Sequence, residues 1–341
     1  MGRFAFSRSV SRGRCRGVLP GCSPGPGQAR AVAVSPALPG IYADPVTLTA
    51  PPRLLLVHAH PDDESLWTGG TIARYAARGV HVTVVTCTLG EEGEVIPPGL
   101  RELASDAADQ LGGYRLGELR SACAALGVTD HRFLGGVGRW RDSGMAGTPT
   151  NDHPRAFVRG SLDEQAEALA AVIREVRPQV VVSYDANGGY GHPDHIRAHD
   201  ITMAAAAESP DVVRVFHAVT AERAVHAGID ALRDVPDLPF RLPEPGELPV
   251  TPDAEITTVV DIAEHIPAKL SALRAHATQV SVWRNDTGAT AYALSNNIAQ
   301  PIVDAECYVL ARGAAEGAAA DLFGGLGLTG GEQVTERGAA R

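Results

Sequence analysis

Residues 54–88 of this 341-residue chain constrain its fold more than any other stretch. An apolar run, Leu54-Leu55-Leu56-Val57, leads into the polar cluster His58-Ala59-His60-Pro61-Asp62-Asp63-Glu64. Gly69-Gly70 follows, and then a second apolar stretch carrying Val82, Val84 and Val85. The two runs read as buried strands over 54–57 and 80–88, with a helix over 67–78 between them and Gly79 as its stop. A β-loop-α-β unit of this kind closes by a right-handed crossover between parallel strands. It leaves the polar cluster at the carboxyl end of the first strand, where open α/β sheets bind ligands.

The alternation continues downstream. Helices are expected over 100–111 and 116–126, separated by Gly112-Gly113, then a brief strand over 132–134 and a glycine-rich surface loop over 135–150. A helix over 163–176, a buried strand over 180–184, a helix over 196–208 and a strand over 212–216 follow. Six prolines between Pro236 and Pro252 mark an irregular connector. Beyond it, a strand over 256–262, a helix over 266–278 and a closing strand over 306–311 complete the pattern. The expected fold is α/β: one Rossmann-like domain over 51–312, its mostly parallel sheet flanked by helices, with a less regular C-terminal part. Residues 1–50, rich in Arg, Ser, Gly and Pro, are expected as a disordered extension or the product of a start assigned too far upstream, and 313–341 as a disordered tail.

A second cluster, Gly188-Gly189-Tyr190-Gly191-His192-Pro193-Asp194-His195, follows the strand at 180–184. The fold would bring both clusters around one metal ion. His60 and Asp63, three apart on a turn, can approach an ion from one loop, and His195 from the other. Two imidazoles and a carboxylate suit zinc with an open fourth position, and also Fe(II), Mn(II) or Co(II). Such an ion acidifies water to a pKa of about 7 and polarises a carbonyl. Asp62, beside a ligand but not itself one, is placed to act as general base. His192 fits a general acid or oxyanion stabiliser, Asp194 a carboxylate orienting an imidazole, and Tyr190 a donor to the oxyanion. Together these residues predict metal-assisted hydrolysis of an amide or ester.

Taken singly, each residue has a plainer explanation. Asp62 or Asp63 alone reads as a helix N-cap or first-turn charge, a lone His195 as an ordinary partly buried histidine, and the glycines around Tyr190 as a turn. His58 fits a hydrogen-bonded structural role, Glu64 a supporting acid, and Glu91, Glu92 and Glu94 a solvated acidic loop. Two dense His/Asp clusters, both at expected strand ends, are hard to reach by accident.

The net charge of −10 argues against a nucleic-acid partner, which needs concentrated Lys and Arg. Residues 1–50 hold six Arg and one acid, so the negative charge lies in the remainder. No apolar run reaches the ~18–20 residues that span a bilayer, so no membrane partner is expected. The five cysteines are scattered without a CxxC pair, which points to a reducing cytoplasm rather than a disulfide framework. No GxGxxG follows the first strand, which disfavours a dinucleotide enzyme.

His-Pro-Asp-Asp-Glu at 60–64, together with His-Pro-Asp-His at 192–195, resembles the LmbE-like, or PIG-L, family of zinc-dependent N-acetylglucosaminyl deacetylases. The likeness covers 53–311. Within the family, 86–95, 109–115, 139–147 and 187–191 resemble the actinobacterial mycothiol-pathway branch, which removes acetate from N-acetylglucosaminyl-inositol, a small pseudodisaccharide. The resemblance implies one zinc ion per subunit, with Fe2+ as the other candidate. It implies His60, Asp63 and His195 as ligands, Asp62 as base, His192 as acid or oxyanion stabiliser, Asp194 as orienting carboxylate and Tyr190 as a mobile tyrosine. Arg115 and Asp142 match contacts to sugar or inositol hydroxyls. Trp67 departs from the pattern, where relatives often have a small or polar residue. The nearest rival activity is that of a mycothiol S-conjugate amidase, a branch that tends to carry lysine just after the acidic cluster, where this chain has Leu66-Trp67-Thr68. A non-catalytic sugar-binding α/β protein is the alternative of another class.

Overall fold

The computed structural model describes residues 51–327. The expectations for 1–50 and for 328–341 lie outside the described residues. The first strand, β1 (Arg53–His58), is buried over its whole apolar length, and Leu54, Leu55, Leu56 and Val57 are fully enclosed. Complete burial of side chains of this size is worth about 1.5–3 kcal/mol each as an upper bound. Helix α1 (Asp63–Ala77) and β2 (His81–Thr86) complete the expected unit, and β1 pairs with β2 in parallel. Then come α2 (Leu111–Leu126), β3 (Asp130–Phe133), α3 (Leu162–Val176), β4 (Val180–Ser183), the single helical turn α4 (Gly188–Gly191) and α5 (Pro193–Ala207). The chain continues through β5 (Arg214–Val219), α6 (Glu222–Arg233), β6 (Thr258–Asp261), α7 (Ile266–Ala275), β7 (Ser281–Arg284), β8 (Thr290–Ala293), β9 (Gln300–Pro301) and β10 (Ala305–Arg312).

The main sheet runs β3-β2-β1-β4-β5-β10-β6, with β1 to β5 parallel and β10 antiparallel to both of its neighbours. Alternate residues of the strands feed two core layers. Leu54, Leu56, Val82, Val84 and Val180 pack with Ile72, Leu119 and Ala272 from α1, α2 and α7. Leu55, Val57, Val85 and Val181 pack with Leu169, Ile173, Ala198 and Ile201 from α3 and α5. Strand order turns back between β1 and β4, because β2 lies on one side of β1 and β4 on the other. A crevice opens at such a switch point, outside the strands' carboxyl ends, and both polar clusters emerge there. The α/β fold with a mostly parallel, helix-flanked sheet is therefore as expected. Among the described residues, no helix is long and apolar enough to cross a membrane.

Several local expectations fail for physical reasons. The helix expected over 100–111 does not form; a short 3-10 segment, Pro98–Leu103, and turns stand there up to 110, and α2 begins at Leu111. Gly112-Gly113 does not break a helix but lies in the first turn of α2. A Cβ at Gly112 would stand 2.8 Å from Glu91 Cγ and 3.0 Å from Leu89 Cβ, so the glycine lets the helix meet the 89–91 loop closely. Helix α6 and the small antiparallel sheet β7-β8-β9 lie in stretches where no element was expected. The residues after Arg312 do not fray as far as 327. Ala318, Leu322, Phe323 and Leu326 join the core, and the enclosed Arg214 guanidinium donates to the carbonyls of Ala314, Glu316, Leu322 and Gly324. An Ala/Gly-rich composition hides this packing, because its main anchor is an arginine about 100 residues away.

Candidate metal centre and active site

Helices α1 and α5 begin inside the two clusters, four and three residues earlier than their apolar periodicity suggests. Asp63 therefore stands in the first turn of α1, and His195 in the first turn of α5. Pro193 occupies the first helical turn of α5, where its missing N–H costs nothing. The His192 side chain caps that helix: its Nδ1 accepts from the Asp194 N–H at 3.1 Å. An imidazole is an unusual cap, which is why the early start was not legible.

The geometry joins the three expected ligands. Asp63 Oδ2 lies 3.5 Å from His60 Nδ1 and 3.4 Å from His195 Nε2, and the two nitrogens are 3.3 Å apart. An ion bonded tetrahedrally at about 2.0–2.1 Å to N and O donors requires donor–donor edges of roughly 3.3–3.4 Å. The residues present fit a divalent ion. Donor atoms of His60, His192 and His195 also lie within 4.8 Å of one another, as do those of His60, Asp142 and Asp194. These sets are less suited to one ion. His192 Nδ1 is taken up by its cap, while Asp142 and Asp194 face the opposite edge of His60, at Nε2 (3.5 and 3.3 Å). An imidazole that ligates through one nitrogen and donates through the other to carboxylates is the usual second-layer arrangement around a metal.

The same holds for His195. Its Nδ1 sits 3.2 Å from the Gly188 carbonyl, and its ring stacks on Tyr184, with centroids 4.1 Å apart and an interplanar angle of 19°. Gly188 has φ 63, and a Cβ there would meet His195 Cβ at 2.6 Å and the Ile196 amide nitrogen at 2.8 Å. Only glycine fits. A Gly188→Ala protein should fold yet lose metal affinity by about 10–100-fold, the scale of outer-layer damage; competition with a chelating dye measures it, and unchanged affinity refutes the role.

Charges in the cluster set one another. Burial pushes the His60 imidazole down, but Asp142, Asp194 and Asp63 outweigh it and hold the ring well above its ordinary value. Burial likewise pushes Asp63 up, and His195 with His60 more than reverses this. His192 is pushed down to about 3 by burial and by His60 and His195, so its ring is neutral. With Nδ1 accepting, the remaining proton sits on Nε2, the nitrogen free of the cap. Asp194, fully enclosed, accepts from the Ser143 N–H at 2.9 Å and stands 3.3 Å from His60 Nε2.

Asp62 occupies the N-cap position of α1 but makes no capping bond. Its backbone is left-handed, φ 103 and ψ −32, a conformation costing a non-glycine residue on the order of 1–3 kcal/mol. Its carboxylate lies 3.2 Å from Arg115 Nη2. Arg115, fully inside, also donates to the carbonyls of Gly90 (2.6 Å) and Pro61, so its terminal nitrogens are engaged within the protein. Asp142 accepts from the N–H groups of Gly144 and Glu92. His60, Asp62, Asp63, Arg115, Asp142, Tyr190 and His192 all line one cavity of about 760 Å³. The Tyr190 ring is half exposed at its mouth, 5.0 Å from the His195 ring centroid-to-centroid.

Four features escaped the sequence reading. Tyr184 is more than a strand end, since it stacks on His195 and its hydroxyl accepts from the Ala59 N–H. The 135–150 segment is not a surface loop throughout: Trp140, Arg141, Asp142 and Ser143 are buried. The acidic loop is not simply solvated either, because Glu92 and Asp109 both receive Arg141, and Glu91 accepts from the Asp142 N–H. The alternation of Arg and acids across 91–92, 109 and 141–142 was the available signal. His276 meets Glu64 from a distant segment, with nothing nearby in sequence to announce it. His58 does have the structural role expected, with Nε2 3.0 Å from Thr68 Oγ1. Trp67 lines the cavity wall and packs edge-on to Tyr184, 6.0 Å between centroids.

Known proteins resemble this chain closely. The family described as PIG-L, GlcNAc-PI de-N-acetylase, matches residues 55–206. The chain is 72% identical to the 1D-myo-inositol 2-acetamido-2-deoxy-alpha-D-glucopyranoside deacetylase of Actinosynnema mirum, over 83% of this chain and 100% of that protein. It is 67% identical to deacetylase 1 of the same description from Saccharopolyspora erythraea (86% and 100%), and 62% identical to the one from Saccharomonospora viridis (80% and 100%).

Proposed function

The chain belongs to the PIG-L family, and on that premise we propose that it releases acetate from 1D-myo-inositol 2-acetamido-2-deoxy-alpha-D-glucopyranoside, the substrate named for its relatives at 62–72% identity. The observation that carries the chemistry is the His60–Asp63–His195 triangle, with edges of 3.3–3.5 Å, opening on the same cavity as the Asp62 carboxylate. These three residues would hold a divalent ion, zinc in this reading with Fe(II) as the alternative. When bound, the ion supplies Lewis acidity to the attacking water and to the amide carbonyl.

The chain's own residues do the rest. Asp62, whose carboxylate lines the same cavity outside the His60–Asp63–His195 triangle, takes the proton of the attacking water. Neutral His192, protonated at Nε2, donates to the developing oxyanion or to the departing amine. Asp194 holds the His60 ring, and Tyr190 at the mouth donates to the oxyanion as it develops. Asp142 and Arg115 flank the sugar. Arg115 reaches it by exchanging a backbone carbonyl for a hydroxyl, since both are acceptors. The free thiols of Cys87, Cys123 and Cys307 suit a reducing cytoplasm.

The deciding experiment compares acetate release from this pseudodisaccharide with amine release from a mycothiol S-conjugate, together with metal content per chain. A preference for the pseudodisaccharide of at least about tenfold in kcat/KM, the spread that roughly 1.4 kcal/mol produces, is the expected result. Preference for the conjugate would assign the chain to the amidase branch instead.

A further inference from the structure

Asp62 sits in a left-handed backbone conformation without a capping bond from its own side chain. What supports it is the next acid but one. Glu64 Oε2 accepts from the Asp62 N–H at 3.0 Å, and Glu64 Oε1 receives His276 Nε2 at 2.7 Å and the Ser65 hydroxyl. Glu64 and His276 are both wholly enclosed. His276 lies directly after α7, more than 200 positions away in sequence, and its backbone is locked: its carbonyl accepts from the N–H groups of Gln279 (2.9 Å) and Val280 (2.8 Å).

The same turn is tied to α2. Glu118 accepts from the Thr278 N–H at 2.8 Å and from the Thr278 hydroxyl at 2.7 Å. Glu118 stands one helical turn beyond Arg115, the residue whose guanidinium touches the Asp62 carboxylate. The 276–278 turn therefore reaches Asp62 along two routes, through Glu64 to its backbone and through α2 to its side chain.

We propose that His276 is a positioning residue for Asp62: through Glu64 it holds the Asp62 N–H, and so keeps the carboxylate turned to the cavity instead of relaxing into an ordinary helix cap. His276 touches neither substrate nor metal. Without its N–H, Glu64 keeps only the neighbouring Ser65 hydroxyl and loses its tie to the distant turn, and Asp62 is freer to leave the left-handed region. A displacement of about 1 Å at a reacting group costs on the order of 100-fold in rate.

The inference rests on Asp62 being the base, so the test separates the two. In the full-length, metal-loaded enzyme, His276→Leu should lower kcat by about 30–100-fold, with KM and metal content unchanged. His276→Gln, which keeps a donor near the same place, should recover most of that loss. In an Asp62→Asn background, His276→Leu should cost little more, because residues acting as one unit are not additive. Full turnover in Asp62→Asn alone would overturn the base assignment. A crippled Asp62→Asn that loses a further full factor on adding His276→Leu would overturn the His276 link alone, as would a loss that appears in KM or in metal content. Should His276→Leu not fold, Glu64→Gln reads the same connection: the amide cannot serve both partners as an acceptor, and unchanged kcat would refute the proposal.

Discussion

Asp62→Asn should retain one metal ion per chain and lose about 10²–10⁴-fold in kcat, the usual worth of a positioned general base. The carboxylate lies outside the His60–Asp63–His195 triangle, so the amide substitutes without removing a donor atom. Single-turnover acetate release at matched metal content is the measurement, and loss of metal along with turnover would show that Asp62 belongs to the ligand set. The pH dependence carries the same assignment. Burial, opposed by Arg115, pushes the Asp62 carboxyl up to about 6. A base works in its ionised form, so kcat/KM should fall as the pH drops below that region, and a bound cation moves this limb lower. The limb should be absent from what activity Asp62→Asn retains.

His195→Ala should abolish both metal binding and activity, with metal affinity falling by more than the ~100-fold that marks the upper end for outer-layer changes. The substitution removes Nε2, which sits 3.4 Å from Asp63 Oδ2 and 3.3 Å from His60 Nδ1, and two donors cannot define a closed site. Unfolding gives a readout free of catalysis. Zinc at concentrations well above Kd should raise the Tm of the parent protein, because it binds the folded state alone. That shift should vanish in His195→Ala. A normal zinc-dependent shift would mean that the ion sits elsewhere, with the His60, Asp142 and Asp194 grouping the next place to look.

The two predictions differ although both residues belong to motifs read from the sequence, and the reason is local geometry. Both clusters were legible because they follow short, fully apolar runs, and the ends of such strands face the crevice of a parallel sheet. Element starts were less so. The 3.6-residue apolar pattern of α1 becomes clear only at Trp67, yet the helix begins at Asp63, inside a polar motif that periodicity cannot read. The left-handed Asp62 had no warning, since the Glu64 carboxylate that accepts its N–H is itself held by the distant His276. Helix α6 was missed although one of its faces is apolar, with Val225, Ile229 and Leu232 buried; the charged and small residues between them obscured it.

By itself the sequence determined the α/β alternation and the placement of two His/Asp clusters at strand ends, which made His60, Asp63 and His195 candidate donors to a shared ion. Each of these follows from residue type and short-range spacing, which act over a few residues and survive without knowledge of the partner. The tertiary structure alone decided which His60 nitrogen faces which carboxylates, that Tyr184 stacks on His195, that the acidic loop is bound by Arg141, and that His276 braces Asp62 through Glu64. Those contacts join segments roughly 10 to 210 residues apart. They are set by how the layers pack around the sheet, a many-body outcome that no local pattern in the chain encodes.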